Sequence, residues 1–129
     1  MQDKKTGKNH SLLAAFRNAA NGLLFMIRTQ RNARIHLAVG VLVVLAGFLM
    51  KISMVEWCII VLVIGMVLAA EGVNTAIEKS VDLSIPEYNE NARNAKDVAA
   101  GAVLLTAIAA VITGLLIFLP KFLALIAVP

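Results

Sequence analysis

Charge is scarce in this sequence. Only 16% of its 129 residues are Asp, Glu, Lys or Arg, against 60% that are apolar. Soluble domains hold roughly 45–50% apolar residues even with glycine counted, so an ordinary soluble domain is excluded. Disorder is excluded as well, because it needs low hydrophobicity and high charge. Cysteine occurs once, as Cys58 inside an apolar run, which rules out a disulfide framework and a cysteine zinc site. Two histidines, His10 and His36, do not build a metal site alone. The phosphate-binding loop of soluble nucleotide enzymes is missing too: Thr6-Gly7-Lys8 lacks the upstream glycine, and no dinucleotide fingerprint or HExxH motif occurs. No internal repeat or low-complexity segment is present, and no nucleic-acid partner is expected.

What the sequence has instead is apolar runs. Ile35–Met50 carries no charge between Arg34 and Lys51. A second run starts near Met54, is charge-free from Trp57 to Ala70, meets Glu71, and keeps an apolar pattern to Ile77. The third, Val98–Leu119, has 22 residues without a charge. At about 1.5 Å per residue it covers roughly 33 Å, the thickness of a bilayer core. These runs predict an all-α membrane protein, one domain over 1–129, with transmembrane helices over 35–50, 55–78 and 98–119. Pro86 marks the connection 79–97, and Pro120 is expected to end the third helix. The first run lacks a small-x-small exit and reads as an anchor, not a cleaved signal.

Ahead of the first span, Leu12, Phe16, Ala19, Leu23 and Ile27 recur at helical spacing, with Arg17, Arg28, Arg31 and Arg34 around them. An amphipathic helix over 11–34, lying at the membrane interface, fits this pattern. Residues 1–10 read as a basic tail. Ten Lys and Arg precede the first span or lie in 79–97, and only Lys51 and Lys121 fall at the other side. The positive-inside rule then puts the N-terminus and the 79–97 connection in the cytoplasm, and the C-terminus outside. Ala102, Thr106, Ala110 and Gly114 repeat at i, i+4 in the third span. Such small residues permit close helix approach, and three thin helices that must hide polar groups are expected to oligomerise.

The chemistry gathers at the cytoplasmic end of the second span. Glu71, Asn74, Glu78 and Asp82 fall on one helix face. Ionisable groups at that depth usually mark a functional site; a solvated helix end accounts for Asp82 but poorly for Glu71. Arg93-Asn94-Ala95-Lys96-Asp97 precedes the third span on the same side. As structure alone it reads as a cap, with Asn94 at the N-cap and Asp97 at N3. As function, Lys96 is placed to hold phosphate as a point charge and Asp97 to orient it. Gln30-Arg31-Asn32-x-Arg34 reads as a basic patch facing headgroups. Carboxylates suited to Mg²⁺, a lysine and no P-loop, on the side that holds ATP, point to phosphoryl transfer onto a membrane lipid. Such transfer needs positioning and charge neutralisation more than covalent help.

Glu71-x-x-Asn74-Thr75-Ala76-Ile77-Glu78-x-x-Val81-Asp82, followed by Ala95-Lys96-Asp97-x-Ala99-Ala100-Gly101-Ala102-Val103-Leu104, resembles the small prokaryotic diacylglycerol kinase and undecaprenol kinase family. Arg31-Asn32-x-Arg34-Ile35-His36 adds a third match, and the resemblance covers roughly residues 10–118. It implies a homotrimer in the bacterial inner membrane, with three transmembrane helices and a surface helix per chain and active sites shared between neighbours. It implies ATP and Mg²⁺ as co-substrate and cofactor. By position, Glu71 matches the catalytic base that accepts the lipid hydroxyl proton, Asn74 an organising asparagine, and Glu78 a Mg²⁺-binding glutamate. Lys96 and Asp97 match residues at the nucleotide phosphates. Glu87 and Tyr88 resemble a pair bordering the nucleotide, although Asn89 departs from the histidine that follows there.

One departure bears on the metal. The family pattern before Arg31-Asn32 is Thr-Glu, and here it is Thr29-Gln30. Gln30 stands where the second metal-binding glutamate is expected, and its amide coordinates only through a neutral oxygen. The acceptor is open between diacylglycerol and undecaprenol: the motifs around Arg31 and Lys96 look like the undecaprenol type, Glu87-Tyr88 like the diacylglycerol type. Two other readings stand beside the kinase. One is a non-enzymatic membrane subunit or proton-relay bundle with Glu71 as its carboxylate; the other is a family member weakened by Gln30.

Overall fold

The computed structural model describes residues 12–85 and 87–127, and these form four helices with no strand among them. They are α1 (Leu12–Thr29), α2 (Arg31–Leu49), α3 (Met54–Ser84) and α4 (Glu90–Ile126). The basic tail expected over 1–10 and Pro86 lie outside the described residues.

The helix ends explain themselves locally. Gln30 is a single extended residue (φ −104°, ψ 119°) between α1 and α2. The first helix therefore closes at Thr29 instead of reaching 34, and Arg31–Arg34 become the first turn of α2. At the far end of α2, Met50 donates its N–H to the Ala46 carbonyl at 2.8 Å, and Ile52 donates to Gly47 at 3.1 Å. Between them Lys51 adopts a left-handed conformation (φ 49°), the usual way to close off the last carbonyls of a helix. Ser53 then starts α3 with a capping box. Its hydroxyl accepts from Glu56 N–H at 3.3 Å, while the Glu56 carboxylate accepts from Ser53 N–H at 2.6 Å.

Two expectations about α4 need correction. Asn89, not Asn94, is its N-cap, with Oδ1 accepting from Ala92 N–H at 3.1 Å. A competent cap one turn earlier draws Asn94 and Asp97 into the helix interior. The connection from α3 shrinks to residues 85–89 between Ser84 and Glu90. Nor does Pro120 end α4, which runs on to Ile126. Proline forfeits one backbone bond, but membrane-spanning helices accommodate it where neighbouring groups or small local backbone adjustments satisfy the freed carbonyl.

α3 is the central rod. α4 packs along most of it, α2 beside it, and α1 touches both α2 and α3 at one end. Buried Ile52, Ile60 and Ile117 form a small core, with Trp57 and Phe118 packed against it. Lys121 Nζ lies 3.1 Å from Glu56 Oε1 and ties α4 to the start of α3. The small-residue stripe of α4 does not serve this packing: Gly114 has nothing within 4 Å of where a Cβ would stand. Ala92, Ala99, Val103 and Ile117 are the buried positions of α4 instead.

Most outward side chains are apolar, among them Leu62, Leu105 and Leu116. In water each such exposure forgoes roughly 25 cal/mol per Å²; in hydrocarbon it forgoes nothing. α2, α3 and α4 are long and apolar enough to cross a membrane. At about 1.5 Å per residue, the 31 residues of α3 span roughly 46 Å, so α3 extends well beyond a hydrocarbon core of ~30 Å.

The α2–α3 contact generates a test. A Cβ on Gly47 would stand 2.8 Å from Trp57 Cη2 and 3.1 Å from Ile52 Cδ1. Gly47→Ala is expected to cost about 1–3 kcal/mol through overpacking, read as a lower unfolding midpoint in detergent. Gly22→Ala, with open space around it, is expected to leave the midpoint unchanged or raise it.

Candidate active site

Glu71 is 2% exposed, and Asn74 and Thr75 beside it are buried. These are the only buried polar side chains among the described residues. Helical spacing puts Glu71, Asn74 and Glu78 on one side of α3, and three other segments close over that side. Gln30, at the joint of α1 and α2, donates Nε2–H to Glu78 Oε2 at 2.9 Å. Asn74 donates Nδ2–H to the other oxygen, Glu78 Oε1, at 3.0 Å. The Glu78 carboxylate is thus held by two amides, one from its own helix and one from the α1–α2 joint. From α2, His36 Nε2 stands 3.3 Å from Glu71 Oε1. From α1, buried Met26 lies over Gly72, its sulfur 3.7 Å from where a Cβ would be.

Two buried oxygens are left over. Glu71 Oε1 and Asn74 Oδ1 have no hydrogen-bond partner among the described residues. Buried polar atoms are normally satisfied, and each one left without a partner costs roughly 1–3 kcal/mol. Thr75 does not help, since its hydroxyl donates back to the Glu71 carbonyl at 2.8 Å. Unsatisfied oxygens beside a carboxylate suit a ligand that brings cations or donors.

The remaining sequence-selected residues sit apart from this cluster. Lys96 pairs with Asp82, joining the start of α4 to the end of α3. Asp97 lies 3.5 Å from Arg93 Nε in an exposed i, i+4 pair. Glu87 and Tyr88 are exposed in the short connection. The structure therefore unites Gln30, Asn74 and Glu78, sets Glu71 beside His36, and gives Lys96 to Asp82. The partnership of His36 with Glu71 escaped the sequence reading. Its signal was an imidazole at the second position of an apolar run.

No group of three or more His, Cys, Asp or Glu suited to a metal occurs among the described residues. The donor set at the cluster is one carboxylate, Glu78, with the amide oxygens of Gln30 and Asn74 nearby. Mg²⁺ commonly takes one or two carboxylates and fills the rest of its shell with water and substrate phosphates. The oxygen-only chemistry fits such an ion, with a single anionic protein ligand.

Comparison with known proteins decides the family. A profile of prokaryotic diacylglycerol kinase matches residues 17–118. The chain belongs to the prokaryotic diacylglycerol kinase family. It is 43% identical over 121 residues to the undecaprenol kinase of Bacillus subtilis, covering 92% of this chain and 98% of that protein. It is 45% identical over 116 residues to the diacylglycerol kinase of a Synechocystis species, covering 89% of this chain and 66% of that longer protein. This family member is a lipid kinase and a membrane protein. The proton-relay bundle and the non-enzymatic subunit are not favoured by these relationships.

The bonds to Glu78 carry a prediction. Hydrogen bonds to a charged group are worth about 1.5–3 kcal/mol each. Asn74→Leu removes one of the two, and is expected to lower the unfolding free energy by an amount in that range, read from denaturant unfolding in detergent. Asp82→Asn, which touches only the exposed pair with Lys96, is expected to change stability by less than about 1 kcal/mol.

Proposed function

We propose that this lipid kinase moves the γ-phosphoryl group of ATP onto the hydroxyl of a membrane lipid at the Glu71 end of α3, with Glu71 as the base. The observation that carries the reading is a sealed carboxylate two turns from an amide-held second carboxylate, where an apolar span meets its polar end. The burial of Glu71 supports a role in accepting a proton from a lipid alcohol that reaches it from the apolar side. Glu78, with the amide oxygens of Gln30 and Asn74, would hold Mg²⁺, which supplies charge neutralisation at the phosphates when bound. Lys96 and Asp97 are assigned to the phosphates, with Lys96 leaving Asp82 to do so; Glu87 and Tyr88 border the nucleotide.

The acceptor is diacylglycerol, giving phosphatidic acid, or undecaprenol, giving undecaprenyl phosphate. The near full-length similarity to an undecaprenol kinase supports the second. The lysine and arginine distribution supports an inner-membrane protein with N-terminus and active site in the cytoplasm and C-terminus outside. α1 lies at the interface as an amphipathic helix. A homotrimer would cover the apolar faces that one chain leaves open and complete the site between neighbours.

Two outcomes are expected. In detergent micelles, ³²P transfer from ATP to either lipid is expected to fall ~10²–10⁴-fold in Glu71→Gln, and a variant with full rate would remove Glu71 as the base. Gln30→Glu adds a second anion beside Glu78, and is expected to tighten Mn²⁺ binding, followed by its EPR signal, by about tenfold or more, equivalent to ~1.4 kcal/mol. It is expected to raise the transfer rate as well. No gain in either would set Gln30 outside the metal site.

A further inference from the structure

Glu71 presents a problem that its helix does not solve. Its carboxylate is sealed, yet Oε1 makes no hydrogen bond among the described residues. No hydrogen bond at Oε1 fixes the rotation of the group about its terminal bond, and a general base that misses its proton by an ångström loses most of its value. One side chain is in place to remove that freedom. His36, from α2, puts Nε2 3.3 Å from Oε1, just beyond a normal hydrogen bond. The His36 side chain is a quarter exposed, whereas that of Glu71 is 2% exposed.

The position of His36 bears on the acceptor as well. Its ring lines the Glu71 end of an apolar groove of about 650 Å³ between α2 and α4, floored by α3 through Ile60, Ile64 and Val67. His36 is the one titratable side chain on that lining. An alcohol with an apolar body meets this imidazole as it approaches the carboxylate. Catalytic hydrogen bonds are often long before substrate binds and tighten afterwards, and a 3.3 Å separation needs only a few tenths of an ångström.

We propose that His36 is a positioning residue for Glu71. On acceptor binding its Nε2–H donates to Oε1 and turns Oε2 toward the acceptor hydroxyl. In the transfer step the acceptor O–H bond breaks and its proton goes to Oε2. The acceptor oxygen forms a bond to the γ-phosphorus. The bridging bond from that phosphorus to ADP breaks, and its electron pair leaves on ADP. His36 touches none of the reacting atoms. This inference rests on Glu71 acting as the base.

The test compares His36→Leu, His36→Gln and Glu71→Gln as full chains in lipid micelles, with kcat and both KM values measured. A lost orienting contact is expected to lower kcat of His36→Leu about 100-fold. KM for ATP should stay within about threefold, since binding of the nucleotide is untouched. His36→Gln keeps an N–H donor, and is expected to recover kcat to within about tenfold of the parent chain. If His36→Leu keeps the parent kcat while Glu71→Gln is inactive, the inference fails and the base assignment stands. Equal losses in the Leu and Gln variants also overturn it. Parent activity in Glu71→Gln overturns both assignments together.

Discussion

A carboxylate at the end of an apolar rod must be given donors or left to water, and Glu78 is given donors from two directions. Asn74 reaches it along α3, and Gln30 reaches it from the joint of α1 and α2. That second bond does more than satisfy an oxygen. It fixes the only extended residue between two helices against the central helix, and so sets where α1 turns and where α2 begins. With the joint fixed, α2 rises along α3 at the angle that brings His36 to Glu71 and Gly47 to Trp57. Helix direction, the buried acid and the close glycine contact thus depend on one shared anion.

The two ends of the bundle are built on different chemistry. At one end Ser53, Glu56 and Lys121 close the structure: a capping box and an ion pair satisfy one another. At the other, the polar groups are buried yet incompletely paired, with Glu71 Oε1 and Asn74 Oδ1 left over. Evolved cores rarely retain such atoms without use, because buried polar groups without partners weaken the fold. The stable end holds the helices together, and the unsatisfied end is where the proposed reaction places its substrate. Between them runs a long apolar stretch that suits lipid, which is the environment a lipid alcohol arrives from.

Much of this was legible in the residues, for reasons that are easy to state. Three long charge-free runs, one of them as long as a bilayer core is thick, cannot be hidden in a chain this short, so α2, α3 and α4 announce themselves. Glu71 stood out because it interrupts such a run. The joint at Gln30 was not legible: no glycine or proline marks it, and both flanks favour helix, so only the distant bond to Glu78 selects the break. The connection 79–97 looked wide because Lys79, Asp82 and Arg93 are charged, yet charge at a helix end beyond the hydrocarbon is no obstacle to helix. The cap was expected at Asn94, and only the fold shows that α4 is capped five residues earlier, at Asn89. The pairing of Lys96 with Asp82, fourteen positions apart, depends on how two helices meet and leaves no local trace.

The two chemically distinct ends are expected to face opposite sides of a membrane, with the acid-bearing end toward ATP. Thiol labelling in sealed vesicles tests this most directly. In a Cys58→Ala background, a cysteine replaces either exposed Asn91, beside the Lys96 end, or exposed Leu123, beside the Lys121 end. An impermeant maleimide added to right-side-out vesicles is predicted to label position 123 and to reach position 91 only after lysis. Labelling of position 91 without lysis would overturn this arrangement, because nucleotide in the cytoplasm could then not meet the lipid at the site assigned to them.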